Sequence, residues 1–228
     1  KMLGFGSLDS LPLLDVPRPE SIREGVQTLL ELGAIDDRQE LTEIGKSLGR
    51  MPVDPRIGRI ILAADELGVL PEILPIASAM EIPDPRQRPP DKQQAADEAH
   101  ADFRDAESDF LSYLRLWRYY EQSRSELSRN KLTRELRRRF LSPTRMREWS
   151  DTFRQLREIA SELDSARRDR KSKSRRRIGS VRYADDQTKQ TLDKDRYAAV
   201  HQALLSGFLS GVAMAGEKNL YLGPRNLK

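Results

Sequence analysis

Between Leu70 and Leu163 the apolar residues return in steps of three and four, and the aromatic ones keep the same spacing. Phe103, Ala106, Phe110, Leu114, Trp117 and Tyr120 make one such stripe; Met146, Trp149, Phe153, Leu156, Ile159/Ala160 and Leu163 make another. That spacing places side chains on one face of a helix, whereas a strand would alternate in twos. Helices with such faces bury them against one another, so this region is expected to be a helical bundle. Because the aromatics fall on the inward faces, they are expected in its core and not as platforms for stacking bases.

The bundle's connections are also readable. Pro71 opens a helix carrying Ile73, Leu74, Ala77 and Met80, and "IPDPRQRPPD" (82–91) ends it in an extended linker, since proline fits poorly inside a helix. One helix is predicted from about 91 to 122, followed by a shorter one with Leu132, Leu136 and Phe140. Ser142 and Pro143 then supply the cap and first-turn residue of a long helix.

The N-terminal third has a different pattern. Residues 1–20 read as a connector, and the absence of a methionine at position 1 suggests a start partway through a longer protein. Ser21 with Glu24 forms a capping box for a helix carrying Ile22, Val26, Leu29 and Leu30, which Gly33 stops. Ala34-Ile35 and Glu40-Leu41 flank the turn "DDRQ" as a small hairpin. Thr42 caps a helix over 43–50, and Asp54-Pro55 starts another with Ile57, Ile60, Ile61, Ala64 and Leu67. Helix, short strands and helices in this order predict a winged-helix module over 21–69, followed by the bundle over 70–164. Residues 165–194 show no apolar face and are expected to be a disordered, basic polar insertion. A last bundle helix is predicted over 195–216, on Tyr197, Val200, Leu204, Phe208 and Val212, and "NLYLG" in 217–228 begins a strand. The fold class is mainly α.

Several chemistries are excluded by composition. There is no cysteine, so disulfides, thiolate nucleophiles and cysteine-ligated metals are out. His100 and His201 are the only imidazoles. Asp97, His100 and Asp102 could in principle hold a metal, but charged neighbours on a helix more simply make a solvated face. Two strings imitate nucleotide motifs. Asp97-Glu98-Ala99-His100 spells a Walker B signature, yet the preceding Lys92-Gln93-Gln94-Ala95-Ala96 favours helix over the buried strand that Mg²⁺ chemistry requires. Gly45-Lys46-Ser47 ends like a P-loop, but position 40, where the loop needs glycine, is Glu. Neither string is expected to bind ATP. No apolar run approaches the roughly 20 residues that cross a bilayer, and a soluble, cytoplasmic protein without membrane contacts is expected.

Charge is unevenly spread. The net +4 of the chain combines +8 over 165–182, where nine Lys/Arg face one acid, with +7 over 115–154, where twelve face five; the remainder is net −11. Positive charge gathered into one region suits a polyanionic partner.

Longer motifs then carry a resemblance. "LLELGAIDDRQELTEIGKSLGRMPVDPRIGRIILAA" (29–64) resembles the winged helix that follows the two RecA-like domains of DEAH/RHA helicases. "SDFLSYLRLWRYY" (108–120), "FLSPTRMREWSDTFRQL" (140–156) and "ALLSGFLSGVA" (203–213) look like the ratchet-like helical domain of the bacterial HrpA-type branch. The Arg-rich stretch 165–182 falls outside this pattern, and "KNLYLGPRNLK" would be the first edge of an OB-like domain. The resemblance implies that ATP and Mg²⁺ belong to upstream RecA-like domains of the same chain, with no catalytic residue, cofactor or metal in this segment. It implies that these domains close a tunnel around single-stranded RNA, or DNA in its place, which ATP-driven motion pulls stepwise towards its 3′ end.

A translocating grip holds phosphates without reading bases, so it uses guanidiniums on a groove wall. Arg138, Arg145 and Arg147, with Arg134 and Arg137, are the expected RNA contacts, helped by free amides at the helix start near Ser142–Thr144. The competing role for these arginines is pairing with Glu135, Glu148 or Asp151 on neighbouring turns. Arg56 in "VDPR" is assigned to domain packing. The alternative function is a free-standing winged-helix regulator or ribosome-assembly factor without ATPase activity. It would want a cluster of base-reading side chains on a winged-module helix, and 43–50 offers only Lys46 and Arg50.

Overall fold

The computed structural model describes residues 15, 17–170, 192–215 and 221–223, with backbone alone over 163–170, 215 and 221–222. They fall into two compact units: one comprises residues up to Leu67 together with Ala198 onward, the other Gly68–Tyr197.

The first unit opens with α1 (Pro19–Glu31). The helix begins two residues before the predicted capping box: Arg18 stands at the N-cap without a side-chain bond, and Pro19 supplies the first turn. Ser21 is therefore a helical residue and not a cap, because proline already fixes the entry. The exit is as expected: the amides of Gly33 and Ala34 bond back to Leu30 O at 2.9 Å and Leu29 O at 2.8 Å. The hairpin is reduced to one bridge, Ile35 to Leu41, whose turn is held by the Asp36 carboxylate accepting from the amides of Arg38 and Glu40. Thr42 accepts from the Gly45 amide at 3.0 Å and starts α2 (Glu43–Leu48). Asp54 accepts from the Arg56 amide at 2.8 Å at the start of α3 (Pro55–Leu67), which buries Ile57, Ile60, Ile61 and Ala64.

The chain's later residues return to this unit. The helix numbered last, α9 (Lys194–Gly207), buries Val200, Ala203 and Leu204, and its final Gly207 touches α3 so closely that a Cβ there would lie 2.6 Å from Ile60 and 2.7 Å from the Arg56 carbonyl oxygen. This corrects the expected last bundle helix over 195–216 in two ways. It ends at Gly207, nine residues early, in a 3-10 turn over Leu209–Gly211 that leaves Val212 exposed, and from Ala198 onward it belongs to the first unit. Beyond it β1 (Met214–Ala215) pairs antiparallel with β2 (Tyr221–Leu222), the strand expected in "NLYLG".

In the second unit α4 (Leu70–Met80) is buried from Glu72 to Ala79 and packs against the two long helices, α6 (Asp109–Glu126) and α8 (Pro143–Arg170). Pro75 sits inside α4, where a proline leaves the local hydrogen-bond ladder incomplete. Ser78 bonds back to the Leu74 and Pro75 carbonyls, and the Trp149 indole of α8 donates to Pro75 O at 2.9 Å and to Ser78 at 3.0 Å. Trp117, Trp149 and Phe153 stack around that point with centroids 4.6 to 5.2 Å apart. The aromatics are core, as their spacing predicts.

The single helix expected over 91–122 is two. α5 (Gln93–Ala101) stops, Asp105 accepts from the Glu107 and Ser108 amides, and the Ser108 hydroxyl caps α6. Two local caps override the continuous apolar period, and Ala106 is consequently exposed while Phe103 is buried from the turn. α7 (Arg129–Arg138) follows, and α8 then extends to Arg170, six residues past the boundary expected at 164. Of the insertion expected over 165–194, residues 171–191 lie outside the described residues, and its last expected residue, Lys194, opens α9. Among the described residues no helix is long and apolar enough to cross a membrane.

Candidate nucleic-acid interface

α7 carries five cations and one acid in ten residues. At 100° per residue, Lys131, Arg134, Arg137 and Arg138 fall within about 120° of arc, opposite the face that buries Leu136. All four are exposed. Among the described residues nothing pairs with Lys131, Arg134 or Arg137. Arg138 is different: its guanidinium folds onto its own helix and donates to both oxygens of Glu135, at 2.9 and 2.7 Å. That contact holds the Glu135 carboxyl below its ordinary pKa, with the Tyr119 hydroxyl, which donates at 2.8 Å, adding to the effect.

The neighbouring Arg139 points the other way. Its guanidinium lies over the rings of Phe103 and Tyr119, 5.9 and 5.6 Å from their centroids, and pairs with Asp102. It fastens the end of α7 to α6 and to the turn before it, so the basic face sits on a fixed support. Lys131 was not among the candidates read from the sequence, although its spacing with Arg134 and Arg138 (i, i+3, i+7) marks the same face.

At the first turn of α8, part of the anion site predicted there is occupied by the chain itself. The linker 84–88 crosses it as an extended strap, with Arg86 bridged to Leu141, the Gln87 amide donating to Phe140 O and the Ser142 amide donating to Pro85 O. The Ser142 hydroxyl accepts from the Arg145 amide at 3.4 Å. Arg145 itself, half-buried, donates to the Asp84 carbonyl oxygen at 2.7 Å. Asp84 is meanwhile gripped by Arg86 through both carboxylate oxygens; burial works to raise its pKa, and Arg86 more than offsets this. Arg145 thus holds the strap, and the amides the sequence offered to phosphate are partly taken by the chain's own backbone. Arg147 is exposed and, among the described residues, reaches only the Pro143 carbonyl of its own helix, at 3.2 Å. The structure therefore brings Arg134, Arg137 and Arg138 onto one face and sets Arg145 apart. Arg56 is exposed on α3, which packs through Ile57, Ile60 and Ile61.

Both imitation nucleotide strings have other roles. Asp97 lies on the surface of α5, paired bidentately with Arg88 at 2.7 Å, and His100 faces the Phe140 carbonyl at 3.3 Å. With Asp102 on Arg139, the three side chains considered for a metal each have a different partner. Gly45 is inside α2, its amide is donated to Thr42, and a Cβ there would lie 1.9 Å from the Ala34 carbonyl oxygen. That glycine admits the hairpin against α2. Its amide does not face an open phosphate site, so the residues at these strings do not fit ATP and Mg²⁺.

Against known proteins, residues 25–53 match a family model described as helicase associated domain (HA2), winged-helix, and residues 54–113 one described as helicase associated domain (HA2), ratchet-like. The ratchet-like match begins at the cap of α3, before the junction of the compact units at Leu67 and before the boundary expected at 69. Over 98% of its length the chain is 38% identical to a protein of Haemophilus influenzae named ATP-dependent RNA helicase HrpA homolog, and over 99% it is 37% identical to ATP-dependent RNA helicase HrpA of Escherichia coli. A fission-yeast protein of Schizosaccharomyces pombe, named pre-mRNA-splicing factor ATP-dependent RNA helicase prp22, is 31% identical over 54% of the chain. The chain spans 16% of the length of each bacterial relative and 11% of the yeast one.

Proposed function

This chain belongs to the helicase-associated (HA2) family in its HrpA-type branch, and from that premise we propose that it is the RNA-holding accessory segment of an ATP-dependent RNA helicase. The motor chemistry, with ATP and Mg²⁺, resides in RecA-like domains of the same polypeptide, and this segment contributes the passive wall of a tunnel around single-stranded RNA. The strand is drawn through towards its 3′ end. RNA is favoured over DNA because the relatives' names specify RNA helicases.

The observation that carries this reading is the unpaired face of α7. Lys131, Arg134 and Arg137 are exposed cations without partners among the described residues, mounted on a helix that Arg139 and Tyr119 fasten to the bundle. Such a face attracts any phosphate backbone and reads no base edge, which is what a strand that must slide requires. Arg147, on the exposed side of α8, is a further candidate contact.

Fluorescence anisotropy of a labelled single-stranded RNA, titrated with the chain over a range of salt, tests it. Affinity is expected to fall linearly on a log–log plot with a slope of about −0.7 per phosphate neutralised, with little dependence on base sequence and no ATP turnover by the chain alone. Salt-independent binding, strong sequence preference or ATP hydrolysis by the chain would each overturn the reading.

A further inference from the structure

The one acid on α7 lies beside the face proposed to hold RNA, and it is held in place from behind. Glu135 is only 22% exposed and accepts from the Tyr119 hydroxyl, while the Arg139 guanidinium lies 3.7 Å away. Both of its oxygens also accept from Arg138, Oε1 being shared with Tyr119, and the Arg138 side chain is 69% exposed. When Arg138 turns outward, Glu135 keeps Tyr119 and Arg139 and so stays where it is. The carboxylate therefore competes for the guanidinium with any phosphate on the α7 face and also repels that phosphate directly.

We propose that Glu135 is a release residue: by holding Arg138 onto α7 it keeps the phosphate grip weak enough to be broken at every step. This inference rests on the α7 reading above. A strand that advances must leave each contact it makes, and a face of uncompensated arginines would hold it too long. Three cations of the face stand ready, and the fourth is available only through exchange of one anion for another.

Glu135→Gln tests this, because glutamine still accepts from Tyr119 but cannot form the charged fork with Arg138. The variant is expected to bind single-stranded RNA about two- to five-fold more tightly at 50 mM salt, with the gain shrinking as salt rises. In addition, Arg138→Ala is expected to cost more affinity in the Glu135→Gln background than in the wild type. Equal costs in both backgrounds, or unchanged or weaker binding by Glu135→Gln with an unaltered urea midpoint, would overturn the release role. Failure of the underlying reading looks different: the Arg134→Ala/Arg137→Ala double variant would then bind RNA as the wild type does, which would overturn both.

Discussion

The face of α7 and the start of α8 both carry arginines and lie within a few residues of each other, yet Arg134 and Arg137 of the one and Arg145 of the other have opposite fates. Arg134 and Arg137 are exposed with no partner among the described residues, whereas Arg145 is half-buried and holds a backbone carbonyl 61 residues earlier in the chain. The difference comes from what lies opposite. Nothing among the described residues covers α7's outer face, while the strap 84–88 runs across the start of α8 and offers it a carbonyl. An arginine's role is thus set by whether a fixed acceptor reaches it before a mobile phosphate can.

The harshest way to break this contrast is to loosen α8 itself. Trp149→Ala removes a fully buried ring and leaves the Pro75 carbonyl and Ser78 without their indole donor, and should lower stability in urea denaturation by about 3–5 kcal/mol. A smaller loss would mean that the strap, and not the core, fixes the helix. Next comes Arg145→Ala. Loss of a charged donor to a part-buried carbonyl should cost about 1.5–3 kcal/mol, and the salt slope of RNA binding should stay as it was. A slope that became shallower would return Arg145 to the RNA contacts. The mildest change for the fold is the Arg134→Ala/Arg137→Ala double variant, which should leave the urea midpoint unchanged and make the salt slope shallower by up to about 1.4. If the midpoint moved instead, those residues would be structural after all.

Much of the fold is legible in local pattern. The apolar period identifies α4, α6 and α8, and the caps at Thr42 and Asp54 mark the starts of α2 and α3, because a cap is a contact between residues two or three apart. The winged-helix and ratchet-like character is legible too: the family models match 25–53 and 54–113, which take in the motif at 29–64 and the start of the one at 108–120. The misreadings have a common cause. The helix expected over 91–122 ignored the competition from Asp105 and Ser108, whose side chains satisfy amides that a continuous helix would need. The last helix was extended to 216 on period alone, although Gly207 is where the chain must come within touching distance of α3. At the site, charge density pointed to α7 and to the start of α8, and it could not show which cations already had partners.

What this sequence determined by itself is most of the helices, the inward faces of the long ones and the concentration of positive charge between 115 and 154, since these follow from spacing and composition along the chain. Only the tertiary structure decided which guanidiniums remain free. Arg145 to Asp84, Arg139 to Phe103 and Glu135 to Tyr119 are contacts between elements distant in sequence. A hydrogen bond or ring contact forms only when folding brings its two partners within a few ångströms, and no periodicity along the chain encodes that distance.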